Sequence, residues 1–155
     1  MNGQKTFINP MDLQRKGSES ITTSTHVKMQ CFSDPWSYEM IKKGLESRLD
    51  TWLVLWEEGT AAGYCVFRTI ADECELLRIA VLPQLRGRGL SKKLMDQMVF
   101  YSRQKEIKSI FLEVRESNER ARNLYKSYGF VEEGIRKHYY LNPSENAVLM
   151  VCHHI

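Results

Sequence analysis

The chain lacks most of the features that mark special classes of protein. It has no run of about 18 consecutive apolar residues, which excludes a helix that crosses a membrane. Its opening residues have no apolar core of the kind a secretory leader needs, so a cytoplasmic protein without a membrane partner is expected. Cysteine is sparse and scattered: Cys31, Cys65, Cys74 and Cys152 form no Cys-x-x-Cys pair, which argues against a disulfide framework or a zinc site. Three of them sit in apolar runs and read as small buried hydrophobes. No metal is expected. Charge is nearly balanced at a net +3, with the cations gathered around 86–93 and 103–108, and no nucleic-acid recognition motif is present. Nucleic acid is therefore not expected as a direct partner. Repeats and low-complexity tracts are absent. What remains is a globular chain of 155 residues, long enough to bury a core within one domain spanning 1–155.

The most informative stretch begins with Leu76-Leu77-Arg78-Ile79-Ala80-Val81, a short apolar run that reads as a largely buried strand. Pro83 ends it, having no N–H for a ladder. Arg86-Gly87-Arg88-Gly89-Leu90-Ser91 follows, then apolar residues at Leu90, Leu94, Met95, Met98 and Val99 in a helical pattern to about Gln104. A strand that turns through glycines into a helix aims free N–H groups and the positive end of the helix dipole at one place, which suits a phosphate. An ordinary tight turn would use the same glycines. Two phosphate signatures fail: there is no Gly-Lys-Ser/Thr ending, and Gly-x-Gly-x-x-Gly is broken by Lys92. Charge favours the anion, because Arg86, Arg88, Lys92 and Lys93 crowd a helix start where cations oppose the dipole. A polyanion resolves that conflict.

Elsewhere the chain alternates strand and helix signals. Thr6-Phe7-Ile8 suits a short strand, and an irregular helix from near Asp12 through the poor helix formers of 15–25 resumes towards Met29. The loop Cys31–Ser37 presents Phe32 and Trp36 before a second helix over 38–48. Strands are expected at 52–56, 62–68, 76–81, 110–115, 130–134 and 147–152, and a short helix over 119–128, capped by Asn118 or Ser117 and stopped at Gly129. Strands that first meander and then alternate with helices give an α/β domain with a mixed central sheet.

Few residues stand out for chemistry. Glu113 lies in an apolar strand, where a carboxylate either faces solvent or serves as a partly buried general base. Tyr125, on the short helix with Leu124 and Tyr128, is either a core aromatic or a general acid. His138 is a weaker candidate base, and His153 and His154 read as frayed C-terminal residues. A cysteine nucleophile is disfavoured because no cysteine has a neighbouring histidine or a cationic helix start.

These residues form a recognisable series. The segment 86–91 resembles the acetyl-CoA pyrophosphate loop, Arg-x-x-Gly-x-Gly/Ala, of the GCN5-related N-acetyltransferases (GNAT), with Ser91 at the last small position. Leu112-Glu113-Val114-Arg115, Ser117-Asn118, Ala121, Leu124-Tyr125 and Gly129-Phe130 resemble the protein N-terminal acetyltransferases of the ribosomal-protein-alanine (RimI) type. The likeness extends through 136–140 and 147–150 and upstream to Phe32 and Pro35-Trp36-Ser37, covering about 30–155, whereas residues 1–30 match poorly.

That resemblance implies a mostly antiparallel sheet with helices on both faces and a splayed central pair of strands. It implies acetyl-CoA as cosubstrate, without metal. Ile79, Ala80 and Val81 would hold the pantetheine arm through the main chain, the Val81 N–H polarising the thioester carbonyl. Arg86, Gly87, Arg88, Gly89, Leu90 and Ser91 would wrap the pyrophosphate, and Asn118 would touch the cofactor arm. Glu113 would take the amine proton through water, and Tyr125, also against the cofactor, would return one to the thiolate. Phe32, Trp36, Tyr139 and Tyr140 would line the acceptor groove, although ordinary packing explains four aromatics equally well. The acceptor implied is a protein or peptide N-terminus, such as that of a ribosomal protein. A lysine side chain, a small-molecule amine, or a CoA-binding sensor without turnover are the competing readings.

Overall fold

The computed structural model describes residues 7–8, 39, 43–44, 46–57 and 60–155. The irregular helix expected before residue 38, and the aromatics Phe32 and Trp36, lie outside them. Glu39, Lys43, Gly44 and Glu46 are helical, in keeping with the helix expected over 38–48. The described elements are β1 (Phe7–Ile8), β2 (Asp50–Glu57), β3 (Thr60–Ile70), β4 (Glu73–Val81), a 3-10 turn (Pro83–Leu85), α1 (Leu90–Gln104), β5 (Ser109–Arg115), α2 (Glu119–Lys126), β6 (Val131–Tyr140) and β7 (Glu145–His153). They fall into two compact units, Met1–Arg68 with Arg78–Met98, and Thr69–Leu77 with Val99–Ile155.

In the first unit β1 pairs antiparallel with β2, and β2 with β3, the latter with a register shift between Leu55 and Trp56. Trp52 to Leu55 are buried without a break, so this strand is covered on both faces, and the sequence accordingly shows a continuous apolar run. Trp52 stacks on Tyr64 with ring centroids 5.9 Å apart. Where the ladder ends, Arg68 grips Asp50 through two bonds of 2.7 and 3.1 Å. Leu90, Leu94, Met95 and Met98 of α1 are buried, as their spacing predicts. Each such side chain contributes about 1.5–3 kcal/mol on burial.

In the second unit β4 pairs parallel with β5, β5 antiparallel with β7, and β7 antiparallel with β6. The sheet is thus mixed and mostly antiparallel. The β4–β5 ladder runs from Glu73↔Ser109 to Leu76↔Leu112. Strand β5 alternates cleanly, with Ile110, Leu112 and Val114 buried. Helix α2 begins at Asn118, whose side chain accepts the Ala121 N–H at 3.2 Å, and Gly129 follows with φ 85. Of the two expected caps it is Asn118 that serves.

Two expectations at the C-terminal end need correcting. Strand β6 runs six residues past Gly134, to Tyr140. Nearly all of it is exposed, so no apolar alternation marked it. His153 is not frayed: it closes β7, pairs with Ser109, and meets the Glu133 carboxylate at 2.6 Å, while the His154 N–H bonds the Lys108 carbonyl.

Glu145 anchors the other end of β7. Its carboxylate accepts the Ser117 N–H and an Arg115 N–H, and the Ser117 bonds, helped by Arg115, hold its carboxyl below the ordinary range. A depressed folded-state value contributes stability that is present above the unfolded-state value, about 4.3, and lost as pH falls through the folded one. Glu145→Gln should therefore flatten the acid limb of stability below about pH 4.3. Urea midpoints compared at pH 3 and pH 6 check this, and an equally steep acid limb in the variant would count against it.

Candidate active site

In the first unit, the end of β4 and the start of α1 form a cationic corner. The Leu82 N–H bonds the Ala62 carbonyl at 2.9 Å, and the 3-10 turn closes with the Arg86 N–H on the Pro83 carbonyl. The Arg86 side chain folds back, its Nε donating to the Val81 carbonyl at 3.2 Å, and so braces the corner. Gly87 and Gly89 have φ of 82 and 74, which a residue with Cβ adopts only under strain. A Cβ at either would meet no atom within 4 Å, so it is backbone conformation and not crowding that requires glycine, and the space above the loop is open. The first turn of α1 holds no acidic residue, and like any helix start it leaves N–H groups without intrahelical acceptors. Arg88 reaches Glu57 at 3.4 Å on an exposed surface, a weak tie. The corner suits a polyanion of pyrophosphate type.

In the second unit, one face of the sheet forms a groove of about 400 Å³. Its floor follows from register: Glu113 stands opposite Leu149, Phe111 opposite Val151 and Ser109 opposite His153, while Glu75 and Glu73 of β4 flank Phe111 and Ser109. Arg136 and Tyr139 of β6 complete the lining. Glu113 has only 16% of its side chain exposed, and its Oε1 takes the Arg136 Nε at 2.9 Å. Tyr139 lines the groove beside Glu113, and the hydrogen-bonding pull of that carboxylate, together with partial burial, raises the phenol above the ordinary tyrosine range. The Arg136 guanidinium lies 5.5 Å from the Tyr139 ring centroid. Three carboxylates on one open face make the groove attractive to a cationic amine.

The acetyltransferase (GNAT) family pattern matches residues 21–130. This chain belongs to the GNAT acetyltransferase family. The acetyltransferase is 39% identical over 130 residues to the [ribosomal protein bS18]-alanine N-acetyltransferase of Haemophilus influenzae, covering 82% of this chain and 88% of the relative. The crystal structure of the ribosomal-protein-S18-alanine N-acetyltransferase from Escherichia coli superposes with a TM-score of 0.86 at 25% identity, covering 97% and 94% of the two chains. The fold is shared with a chain of the NatC complex solved with Gag peptide and CoA, at a TM-score of 0.81 and 22% identity over 98% and 99%. This GNAT acetyltransferase is an N-acetyltransferase enzyme with the mixed α/β fold of its family.

The remaining residues singled out in the acetyltransferase sequence take distinct places. Ala80, Val81 and Leu90 are buried, Ile79 and Ser91 half-buried, and Arg86 to Gly89 exposed. Tyr125 is 6% exposed, tilted against Phe130 at 5.8 Å, and is not part of the groove lining. Asn118 commits its carbonyl oxygen to the α2 cap, which leaves its amide nitrogen as the group to offer a ligand. Tyr139 and Tyr140 part company: Tyr139 lines the groove, whereas Tyr140 lies under Arg115, 4.4 Å from guanidinium to ring centroid. His138 is exposed and 3.3 Å from the Ser144 hydroxyl, outside the groove. Burial pushes the Cys74 thiol up to about 11 and raises Cys152 as well, so neither resembles an activated nucleophile.

Sequence reasoning missed Arg136, Glu73 and Glu75. The glutamates sit on alternate positions of β4, in register with Ser109 and Phe111, but no local pattern revealed that β4 and β5 are parallel neighbours. Arg136 entered the sequence analysis only within the family likeness of 136–140, with no role of its own.

Proposed function

We propose that this acetyltransferase transfers an acetyl group from acetyl-CoA to protein N-terminal α-amines, such as the alanine of a ribosomal protein, and that residues 1–155 act as one cytoplasmic domain. The observation that carries the chemistry is Glu113: a carboxylate 16% exposed, fixed on a strand and facing an acidic groove. The acceptor class is supported by the Haemophilus influenzae relative, whose name gives alanine of bS18 as its substrate.

Acetyl-CoA supplies the acyl group as an activated thioester, and the open space above Gly87 and Gly89, with the acid-free start of α1, fits its pyrophosphate. The main chain of 86–91 would bind those phosphates, and that of Ile79 to Val81 the pantetheine arm, with the Val81 N–H polarising the carbonyl. Asn118 would offer its amide to the same arm. Glu113 would accept a proton from the incoming ammonium through water, and the Tyr125 phenol would donate one to the departing sulfur. Tyr139, with Tyr140, Phe32 and Trp36, would contact the acceptor peptide.

An α-amine with a pKa near ~8 is about a quarter neutral at pH 7.5, whereas a lysine amine near ~10.4 is neutral about once in a thousand. One carboxylate acting through water therefore suffices for an α-amine. Incubation with acetyl-CoA and a peptide panel, read by mass spectrometry, tests the assignment. Peptides with free N-terminal Ala or Ser should be acetylated, and the same peptides with blocked N-termini and internal lysines should not. Preferential acetylation of the blocked peptides or of free polyamines would transfer the assignment to a side-chain or small amine. Tight CoA binding with no transfer to any amine would leave a sensor.

A further inference from the structure

Strand β6 does not run regularly past Arg136. Between the pairs Arg136↔Ala147 and Tyr140↔Glu145 the chain takes four steps along β6 against two along β7. The surplus is absorbed at His138, whose φ is 52, in the left-handed region. The distortion is pinned: the Asn146 side chain accepts the His138 N–H at 3.1 Å and donates to Glu116 at 3.1 Å. In a regular strand, residues three apart point to opposite faces. Here Arg136 and Tyr139 both line the groove that holds Glu113.

We propose that this bulge exists to aim Arg136 and Tyr139 together at Glu113, and that the two are positioning residues that hold the carboxylate in its proton-accepting orientation. The inference rests on the reading of Glu113 as the base. Arg136 takes Oε1 at 2.9 Å, and the Tyr139 phenol stands in the same groove lining beside that carboxylate. An ionised carboxylate offers about four lone-pair directions, so room remains for water or the amine. The guanidinium over the phenol ring joins the two holders into one network. An isolated pair with an arginine 62% exposed would contribute little, and a three-membered network can fix an orientation where a pair cannot.

Arg136→Gln and Tyr139→Phe should each lower kcat about ten- to a hundredfold, since small misplacements of a catalytic group carry losses of that order. The KM for acetyl-CoA should stay unchanged, and Arg136→Lys should restore part of kcat. Wild-type kcat in both variants, or a loss confined to the KM for peptide, would overturn the proposal, the latter marking Tyr139 as a substrate contact alone. A second measurement needs no turnover. The tyrosinate absorbance of the wild type minus that of Tyr139→Phe reports the titration of this one phenol. It should lie above ~10 and move back towards it in a Glu113→Gln background; an unmoved midpoint would overturn the network. A wild type that acetylates no α-amine yet shows the titration shift would end the α-amine reading and leave the network standing.

Discussion

Glu113→Gln should lower kcat at pH 7.5 by about 10²–10³-fold, in the range expected when a positioned proton acceptor is removed. Glutamine has nearly the same shape and can still accept the Arg136 N–H, so the groove should keep its form. What it cannot do is take a proton. Binding of CoA, measured by calorimetry, should match the wild type, because the residues assigned to the cofactor's phosphates belong to 86–91. The deficit should shrink as pH rises, since the neutral fraction of an α-amine near ~8 climbs from about a quarter at pH 7.5 to about nine-tenths at pH 9. Steady-state rates on an alanine-starting peptide across that interval check both parts. An unchanged rate would remove Glu113 from the mechanism, and a lost heat of CoA binding would show that it acts through structure.

The second large effect is expected at a residue with no chemistry. A Cβ on Gly63 would sit 2.5 Å from the Ala80 carbonyl oxygen and 3.2 Å from Val81 Cγ2. The nearest of these atoms is main chain, so no side-chain rotation relieves the clash. Gly63→Ala should destabilise the protein by about 3 kcal/mol, the upper part of the range for overpacking. That corresponds to a fall in Tm of about 6–12 °C for a chain of this size. The main chain that must shift is Ala80 and Val81, assigned to the thioester arm, so KM for acetyl-CoA should rise in whatever protein remains folded. Urea unfolding and calorimetry read the two effects. Wild-type stability would mean that β3 and β4 are held less closely at this point.

Much of this was legible in the sequence where a local rule applied. The stripe Leu90, Leu94, Met95 and Met98 specified α1 because a helix buries residues at that spacing whatever lies opposite. The corner at Gly87 and Gly89 was legible because left-handed backbone calls for glycine. Glu113 stood out as a charge in an apolar strand. Its surroundings did not, since Arg136 reaches it only through the pairing of β5 with β7 and of β7 with β6. The far half of β6 escaped for two reasons: its residues are exposed, and His138, a non-glycine residue, adopts a positive φ that sequence gives no ground to expect. Tyr125 stayed ambiguous for a different cause, because a buried phenol and a proton donor use the same side chain.

The irregularity in β6 has a bearing on how molecules behave toward one another. This strand is hydrogen-bonded to β7 along one margin, is terminal in the strand order of the described residues, and exposes Val131 and Ile135. A straight, greasy outer strand of that kind is a template on which a foreign chain can zip up by main-chain pairing. The kink at His138 interrupts such a template near its C-terminal end, and the charges Glu132, Glu133 and Lys137 along the strand repel what the kink does not exclude. The distortion that brings Arg136 and Tyr139 into one groove lining therefore also disfavours edge-to-edge pairing of this strand.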